Sequence, residues 1–300
     1  MRRRITIGIL VSAIVLIGLA VWLNARRSSG LSSQLDLLSR LPNEPAAAVL
    51  SVDFSILRRA GLLNAHNSPL EPEYKKFVDG AGFDYRRDLD FVVASFSGAG
   101  EFFVARGHFD WEKLRSYAIK QGGSCYDQLC RVQGSTPERR ISFLPLRDNV
   151  IGLAVSTDDL AATRLRTPNS VLTSQVPDTP VWLSVSGQVL SHPGALPEGI
   201  RVALSGLMET DRVLLTAGPG PHGIEAHLET TCRTLDAART LESQLRTTAA
   251  TLKEASVRNK TGDETLAAVL SGGSFGRDAK KVTGTWRIDP AIIEGLTDGI

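Results

Sequence analysis

Cysteine is scarce in this sequence: there are three, at positions 125, 130 and 232. A zinc knuckle needs two closely spaced pairs and a disulfide-stapled miniprotein needs several bridges, so neither class fits. Histidine is scarce as well, with five in 300 residues and none after His227. No serine in the last quarter of the chain can therefore be followed by the acid and histidine of a hydrolase triad in the order serine, acid, histidine. A basic surplus is also missing. Dibasic pairs such as Arg58-Arg59, Arg86-Arg87, Arg139-Arg140 and Lys280-Lys281 stand scattered among acids, which suits solvated faces and not a nucleic-acid surface.

One long hydrophobic run stands out. Ile5 to Leu23 contains no charged residue, and Arg2, Arg3, Arg4, Arg26 and Arg27 flank it. As a helix it reaches roughly 28 Å, close to the hydrocarbon thickness of a bilayer. The arginine bias and the amino terminus hold the N-terminal end in the cytoplasm, which places the body outside. Trp22 falls where the helix would leave the lipid. A cleaved signal peptide is the competing reading, because Gly18 and Ala20 form a small-x-small pair. Val21, Trp22 and Leu23 keep the next segment apolar and favour retention. Without its five flanking arginines, the remaining chain carries 29 basic against 32 acidic residues, net −3.

The chain divides into an anchor (1–27), a linker with a short amphipathic helix (28–41), and two modules (42–170 and 176–300). In the linker, Leu31, Leu35, Leu38 and Leu41 form a stripe that can dock on the first module. In that module Ala46 to Val52 reads as a strand, Asp53 as a helix cap, and Glu71 to Asp79 as a helix stopping at Gly80. Phe91 to Phe96 and Phe102 to Gly107 read as a hairpin across Ser97 to Gly100. Asp110 caps a helix with Trp111, Leu114, Tyr117 and Ala118 on one face. Strands Ile141 to Leu146 and Val150 to Val155 follow, and Ser156 opens a helix bearing Leu160 and Leu165.

The second module repeats this grammar. Pro177 to Pro180 followed by Leu183, Val185 and Leu190 echoes Pro42 to Pro45 followed by Leu50, Val52 and Leu57. Val213 to Ala217, the Gly218 to Pro221 turn, Ile224 to Glu229 and a helix from Arg233 retrace residues 91–121. That helix carries Leu235, Ala238, Leu241, Leu245, Ala249 and Leu252 on one face. Strand Val282 to Ile288 comes next, and Asp289-Pro290 starts a terminal helix. The expectation is an α+β chain of two related antiparallel-sheet modules with helices on one face, a ferredoxin-like duplication.

Cys125 and Cys130 bracket four residues, a spacing that lets them meet as a disulfide across an antiparallel pair; two free thiols are the alternative. Cys232 reads as a small core residue. Gly272 to Gly276 spells a nucleophile elbow around Ser274, but the strand-to-helix context is missing and a loop ending a helix is expected. Glu225, His227 and Glu229 alternate on one strand, which suits either a divalent cation or a solvent-facing strand whose buried side is Ile224, Ala226 and Leu228. His66, His108, His192 and His222 have no partner at ligand spacing. Asp84, Asp88 and Asp90 crowd together without the calcium-loop pattern. The turns at 97–100 and 218–221 join strands and cradle no phosphate. Asn259 to Thr261 matches a glycosylation sequon.

Three stretches carry a resemblance: Leu41-Pro42 before the strand ending in Val52-Asp53, Gly82 to Asp90 (GFDYRRDLD), and Gly107 to Gly123. In these the chain resembles a group of uncharacterised, N-terminally anchored extracytoplasmic proteins of Acidobacteria-type bacteria. That resemblance implies no catalytic residue and no cofactor. The expected function is a non-enzymatic binding or scaffolding component of the cell envelope at the inner membrane. Its partners are the membrane, through Ile5 to Leu23, and another envelope protein, with no nucleic acid. An envelope hydrolase and a ligand-sensing ectodomain are the alternatives.

Overall fold

The computed structural model describes residues 34–61, 63, 72–136, 138–169, 176–191, 205–207, 209–220, 223–259 and 266–288. Ile5 to Leu23, Leu31 and the helix expected from Asp289 lie outside them. Among the described residues no helix is long and apolar enough to cross a membrane.

Among the described residues twelve strands form one antiparallel sheet. They are β1 (Ala47–Asp53), β2 (Leu89–Ser97), β3 (Gly100–Gly107), β4 (Ser124–Tyr126), β5 (Leu129–Gln133), β6 (Arg140–Arg147) and β7 (Val150–Ser156), then β8 (Val181–Ser186), β9 (Thr210–Gly220), β10 (Gly223–Cys232), β11 (Ser274–Asp278) and β12 (Lys281–Ile288). Their order is β11-β12-β10-β9-β8-β1-β2-β3-β7-β6-β5-β4. The ferredoxin-like arrangement is therefore not what forms. Helix-bearing connections set β1 beside β2 and β8 beside β9, and short hairpins join β2 to β3 and β9 to β10, so the strands pair in succession where a ferredoxin-like unit would interleave them. The order 8-9-10-12-11 mirrors 1-2-3-7-6, with the β4–β5 hairpin added at the first half's edge. The halves also share a sheet, because β1 and β8 pair antiparallel with Ala48 opposite Val185 and Val52 opposite Val181.

Alternation assigns the two faces. On one face Ala48, Ala94, Val185, Val213, Leu228 and Val282 pack beneath α6 (Gly187–Ser191) and α7 (Leu235–Asn259). The same face continues through the register pair Phe103 and Leu153 to Phe143, Ile151 and Leu153, which pack with Leu114 and Ala118 of α5 (Trp111–Lys120) and Ala81 of α3 (Pro72–Ala81). The opposite face of the first half is covered too. Phe91, Val93, Phe102, Val104 and Trp182 pack there against Leu37 and Leu38 of α1 (34–39), and against Leu165 of the 3₁₀ turn Ala161–Arg166. Helices on one face only was thus too simple: α1 and the 3₁₀ turn occupy the second face of the first half.

Several local expectations shift for identifiable reasons. Asp53 does cap α2 (Phe54–Arg59), its Oδ1 accepting from the Ile56 N–H at 2.9 Å. Helix α3, however, passes through Gly80 and ends at Ala81; a Cβ at Gly80 would lie 2.7 Å from the Tyr117 ring, so this glycine permits close packing on α5 and stops nothing. Helix C-termination falls to Gly82, whose φ of +69° is the left-handed conformation glycine adopts freely. Strand β9 runs through Pro219 to Gly220, where 218–221 was expected to be the turn. Proline is accommodated because β8 reaches only as far as Ala217, so Pro219 pairs on one side alone. Ser156 ends β7 and accepts from the Asp158 N–H without capping a helix; a 3₁₀ turn forms from Ala161 in place of an α-helix, with Leu165 buried and Leu160 exposed. Leu235 of the expected α7 stripe is exposed, and the buried face begins at Ala238.

Candidate functional site: an apolar cavity under the long helix

The longest helix does not lie flush on its sheet. Leu241, Gln244, Leu245, Thr248, Ala249 and Leu252 recur at spacings of three and four and form the roof of a cavity of about 740 Å³. Its floor is the inner side of β9, β10, β11 and β12, contributed by Leu215, Ala226, Leu228, Phe275, Trp286 and Ile288. Leu207, with Val269 and Leu270 of α8 (Leu266–Ser271), adds to the lining. Leu270 is 40 % exposed and stands where the cavity meets solvent.

Side-chain size explains the space. Nearer the start of α7, Ala238 and Leu241 cluster with Val213, Leu228 and Val282. Further along, the lining includes Ala226 on the floor and Thr248 and Ala249 on the roof, small side chains that leave volume Leu or Phe would fill. The volume lies in the range of small-molecule sites, and the lining is mostly aliphatic and aromatic, as in sites for apolar ligands.

The Trp286 indole is the largest piece of the floor, and glycines make room for it. A Cβ at Gly273 would lie 2.5 Å from Trp286 Nε1, and one at Gly284 would lie 2.8 Å from Trp286 Cη2. Phe275 meets the indole edge to face at a centroid distance of 5.5 Å. The buried Trp286 Nε1 has no hydrogen-bond partner. Outside the cavity, Glu242 of α7 accepts from Arg246 at 3.0 Å and from Arg277 of β11 at 3.2 Å, and Arg246 also donates to the Phe275 carbonyl. This clip ties α7 to the edge strand. Hydrogen bonding from Arg246, against a smaller desolvation penalty and with help from Arg277, holds the Glu242 carboxyl below its usual range.

A second cavity of about 310 Å³ adjoins the first and shares Gly206, Leu241 and Gln244 with it. Glu209, Thr210, Cys232, Ala237 and Thr240 complete its wall. Cys232 is buried here, its Sγ 3.8 Å from Thr230 Oγ1.

The residues singled out by sequence fall elsewhere. Ser274 begins strand β11 and forms no elbow; the expected helix-ending turn is confined to Gly272 and Gly273, whose N–H groups bond the Val269 and Leu270 carbonyls. It sits opposite Thr285, which in turn sits opposite His227, so Ser274 and His227 are two strand spacings apart, roughly 10 Å. His227 Nδ1 instead meets Thr285 Oγ1 at 3.3 Å and its Nε2 lies 3.7 Å from Glu225. Glu229 pairs with Lys281 at 2.8 Å. These side chains form a cross-strand polar ladder on the face opposite α7. Among the described residues no group of three or more His, Cys, Asp or Glu side chains is placed to hold a metal. Cys125 and Cys130 sit opposite each other in β4 and β5 and are disulfide-bonded. The loop between them is two residues, Asp127 and Gln128, both with positive φ, where four were expected, because Tyr126 and Leu129 continue the ladder. His66, His192 and His222 lie outside the described residues.

Asp84 and Asp88 are partnered by their own neighbours. Asp84 caps α4 (Tyr85–Asp88) and accepts from Arg86 at 2.9 Å and from the Tyr74 hydroxyl at 2.9 Å. Burial opposes its ionisation, but the bonds from Arg86 and Tyr74 prevail and its pKa falls below the usual value. Asp88, bonded by Arg87 at 2.7 Å, is lowered chiefly by that bond. Burial pushes the Tyr74 phenol up. The cluster joins α3 to α4 and is structural.

No protein-family model matches this sequence, and no curated protein matches it. Among solved structures, crystal form IV of TP0453 aligns with a TM-score of 0.45 at 10% identity, covering 90% of this chain and 99% of that chain. Crystal form I of TP0453 gives 0.46 at 10%, covering 88% and 96%. Similarity at this level assigns neither family nor activity.

Proposed function

We propose that this chain is a non-enzymatic binding protein of the cell envelope, tethered to the inner membrane by Ile5 to Leu23 with its body on the extracytoplasmic side. The observation that carries the binding reading is the cavity of about 740 Å³ beneath α7, lined mainly by aliphatic and aromatic side chains. The tether rests on the length of the apolar run and its flanking arginines. The mirrored strand orders of the two halves support an internal duplication, of which one copy has opened a pocket.

Two measurements test this. Alkaline phosphatase fused after Ile300 is active if the body is outside; activity of a cytoplasmic reporter there, with inactive phosphatase, overturns the orientation. A membrane-permeant diazirine-bearing fatty alcohol, photolysed with the full chain in vesicles, is expected to label peptides from α7 and β12. Labelling confined to residues 5–23 overturns the binding reading. The rival envelope hydrolase expects turnover that vanishes with Ser274→Ala or His227→Ala.

A further inference from the structure

We infer that the two adjoining cavities form one site for a single-chain amphiphile whose head donates hydrogen bonds and carries no negative charge. This deepens the binding reading above and rests on it. Beyond Gln244, Thr248 and the unpartnered Trp286 Nε1, the larger cavity is lined almost wholly by apolar side chains, so it suits a hydrocarbon tail. A tail alone needs only that chamber. The smaller cavity, joined to it through Gly206, Leu241 and Gln244, has a different character. Glu209 supplies an exposed carboxylate, Thr240 a hydroxyl and Gln244 an amide, and among the described residues no lysine, arginine or histidine lines the wall.

Charge decides what can rest there. A carboxylate or phosphate head would meet Glu209 with no cation among the described lining residues to offset it, and like charges at close range disfavour binding. Arg233, whose backbone N–H bonds the Glu209 carbonyl, pairs with Asp211 at 3.7 Å. A hydroxyl, amide or ammonium head would donate to the Glu209 carboxylate and the Gln244 carbonyl, bonds strengthened by the acceptor's charge. The Thr210 hydroxyl is committed to the Leu207 carbonyl at 2.7 Å and supports the wall without facing a ligand. Cys232 contributes a buried thiol and no charge. Tail and head are thus read by neighbouring walls of one helix, with Leu241 and Gln244 at the junction.

The test uses the full chain in phosphatidylcholine vesicles and three photoreactive probes sharing one diazirine-bearing 16-carbon chain: an alcohol, an amine and a carboxylic acid. Labelled peptides are mapped by mass spectrometry. The alcohol and amine are expected to label α7, β12 and the 205–210 segment at least tenfold more than the acid at pH 8, where the acid is ionised. Glu209→Lys, at an exposed position, is expected to reverse that order. Ala226→Phe, which fills the floor, is expected to abolish labelling by all three. Equal labelling by all three probes, unchanged by Glu209→Lys, overturns the head selectivity and leaves the apolar site standing. Absence of cavity labelling with every probe overturns both. Labelling of the 289–300 segment in place of the cavity walls would show the chain's own end as the occupant and would also overturn the proposal.

Discussion

Gly273 offers a sharp test of what the glycine-rich stretch before β11 is for. Replacing it with alanine adds one methyl group, and its backbone is compatible with any residue, since its φ is outside the left-handed region. The new Cβ would lie 2.5 Å from Trp286 Nε1 and 2.7 Å from Phe275 Cζ. Neither ring can move freely, because the two are packed edge to face at 5.5 Å and the indole also abuts Gly284. Overpacking of this kind costs about 1–3 kcal/mol. At about 2 kcal/mol the melting temperature falls by about 4–8 °C for a domain this size. The assay is thermal and urea unfolding of the full chain followed by circular dichroism, with Trp286→Leu as a second perturbation. If the cost is the clash with the indole, Gly273→Ala costs little once Trp286 is gone, and the cycle gives a coupling of about 1 kcal/mol or more. Ser274→Ala, two atoms away on the solvent side of β11, should be neutral in the same assay. A Gly273→Ala protein within about 0.5 kcal/mol of wild type, or one equally destabilised with and without Trp286, refutes this reasoning.

Three further outcomes follow from the geometry. Phe102, wholly buried between α1 and the sheet, should cost about 3–5 kcal/mol when cut to alanine, read as a lower urea midpoint. Asp84 and Asp88 have folded pKa values below their unfolded ones, so their contribution is present above the unfolded value, near 3.9, and is lost as pH falls through the folded values; urea midpoints should drop below pH 4, and less steeply in Asp84→Asn. Removing the Cys125–Cys130 bridge as a double serine variant should cost about 2 kcal/mol for so short a loop, read by urea unfolding with and without reductant.

Much of the fold was legible because its signals are local. Asp53 and Asp110 are caps whose oxygens accept from the third residue on, and the alternation of Ile224, Ala226 and Leu228 against Glu225, His227 and Glu229 gave the faces of β10 correctly. The repeated grammar of the halves was visible as well. What sequence could not supply was pairing between distant segments: that β1 meets β8, merging two expected modules into one sheet, depends on contacts such as Ala48 with Val185 and Val52 with Val181, between segments far apart in the chain. The cavity was hidden for a related reason. The apolar stripe of α7 reads as ordinary core, and only the strand register sets Ala226 beneath it. Small residues on both walls, Ala226 of the floor with Thr248 and Ala249 of the roof, were the available signal, and it means nothing until the register is known. Conversely, the letters around Ser274 suggested chemistry where the glycines in fact accommodate an indole.

The central claim is that the space beneath α7 is a binding site and not a packing defect. Ala226→Phe separates the two. A phenyl group that finds room there buries apolar surface worth about 1.5–3 kcal/mol, so the ligand-free protein should be as stable as wild type or more so. The same variant should lose the α7 and β12 labelling by the fatty-alcohol probe. That pairing, retained stability with lost labelling, is the result the account requires. Destabilisation by more than about 1 kcal/mol together with undiminished labelling would contradict it.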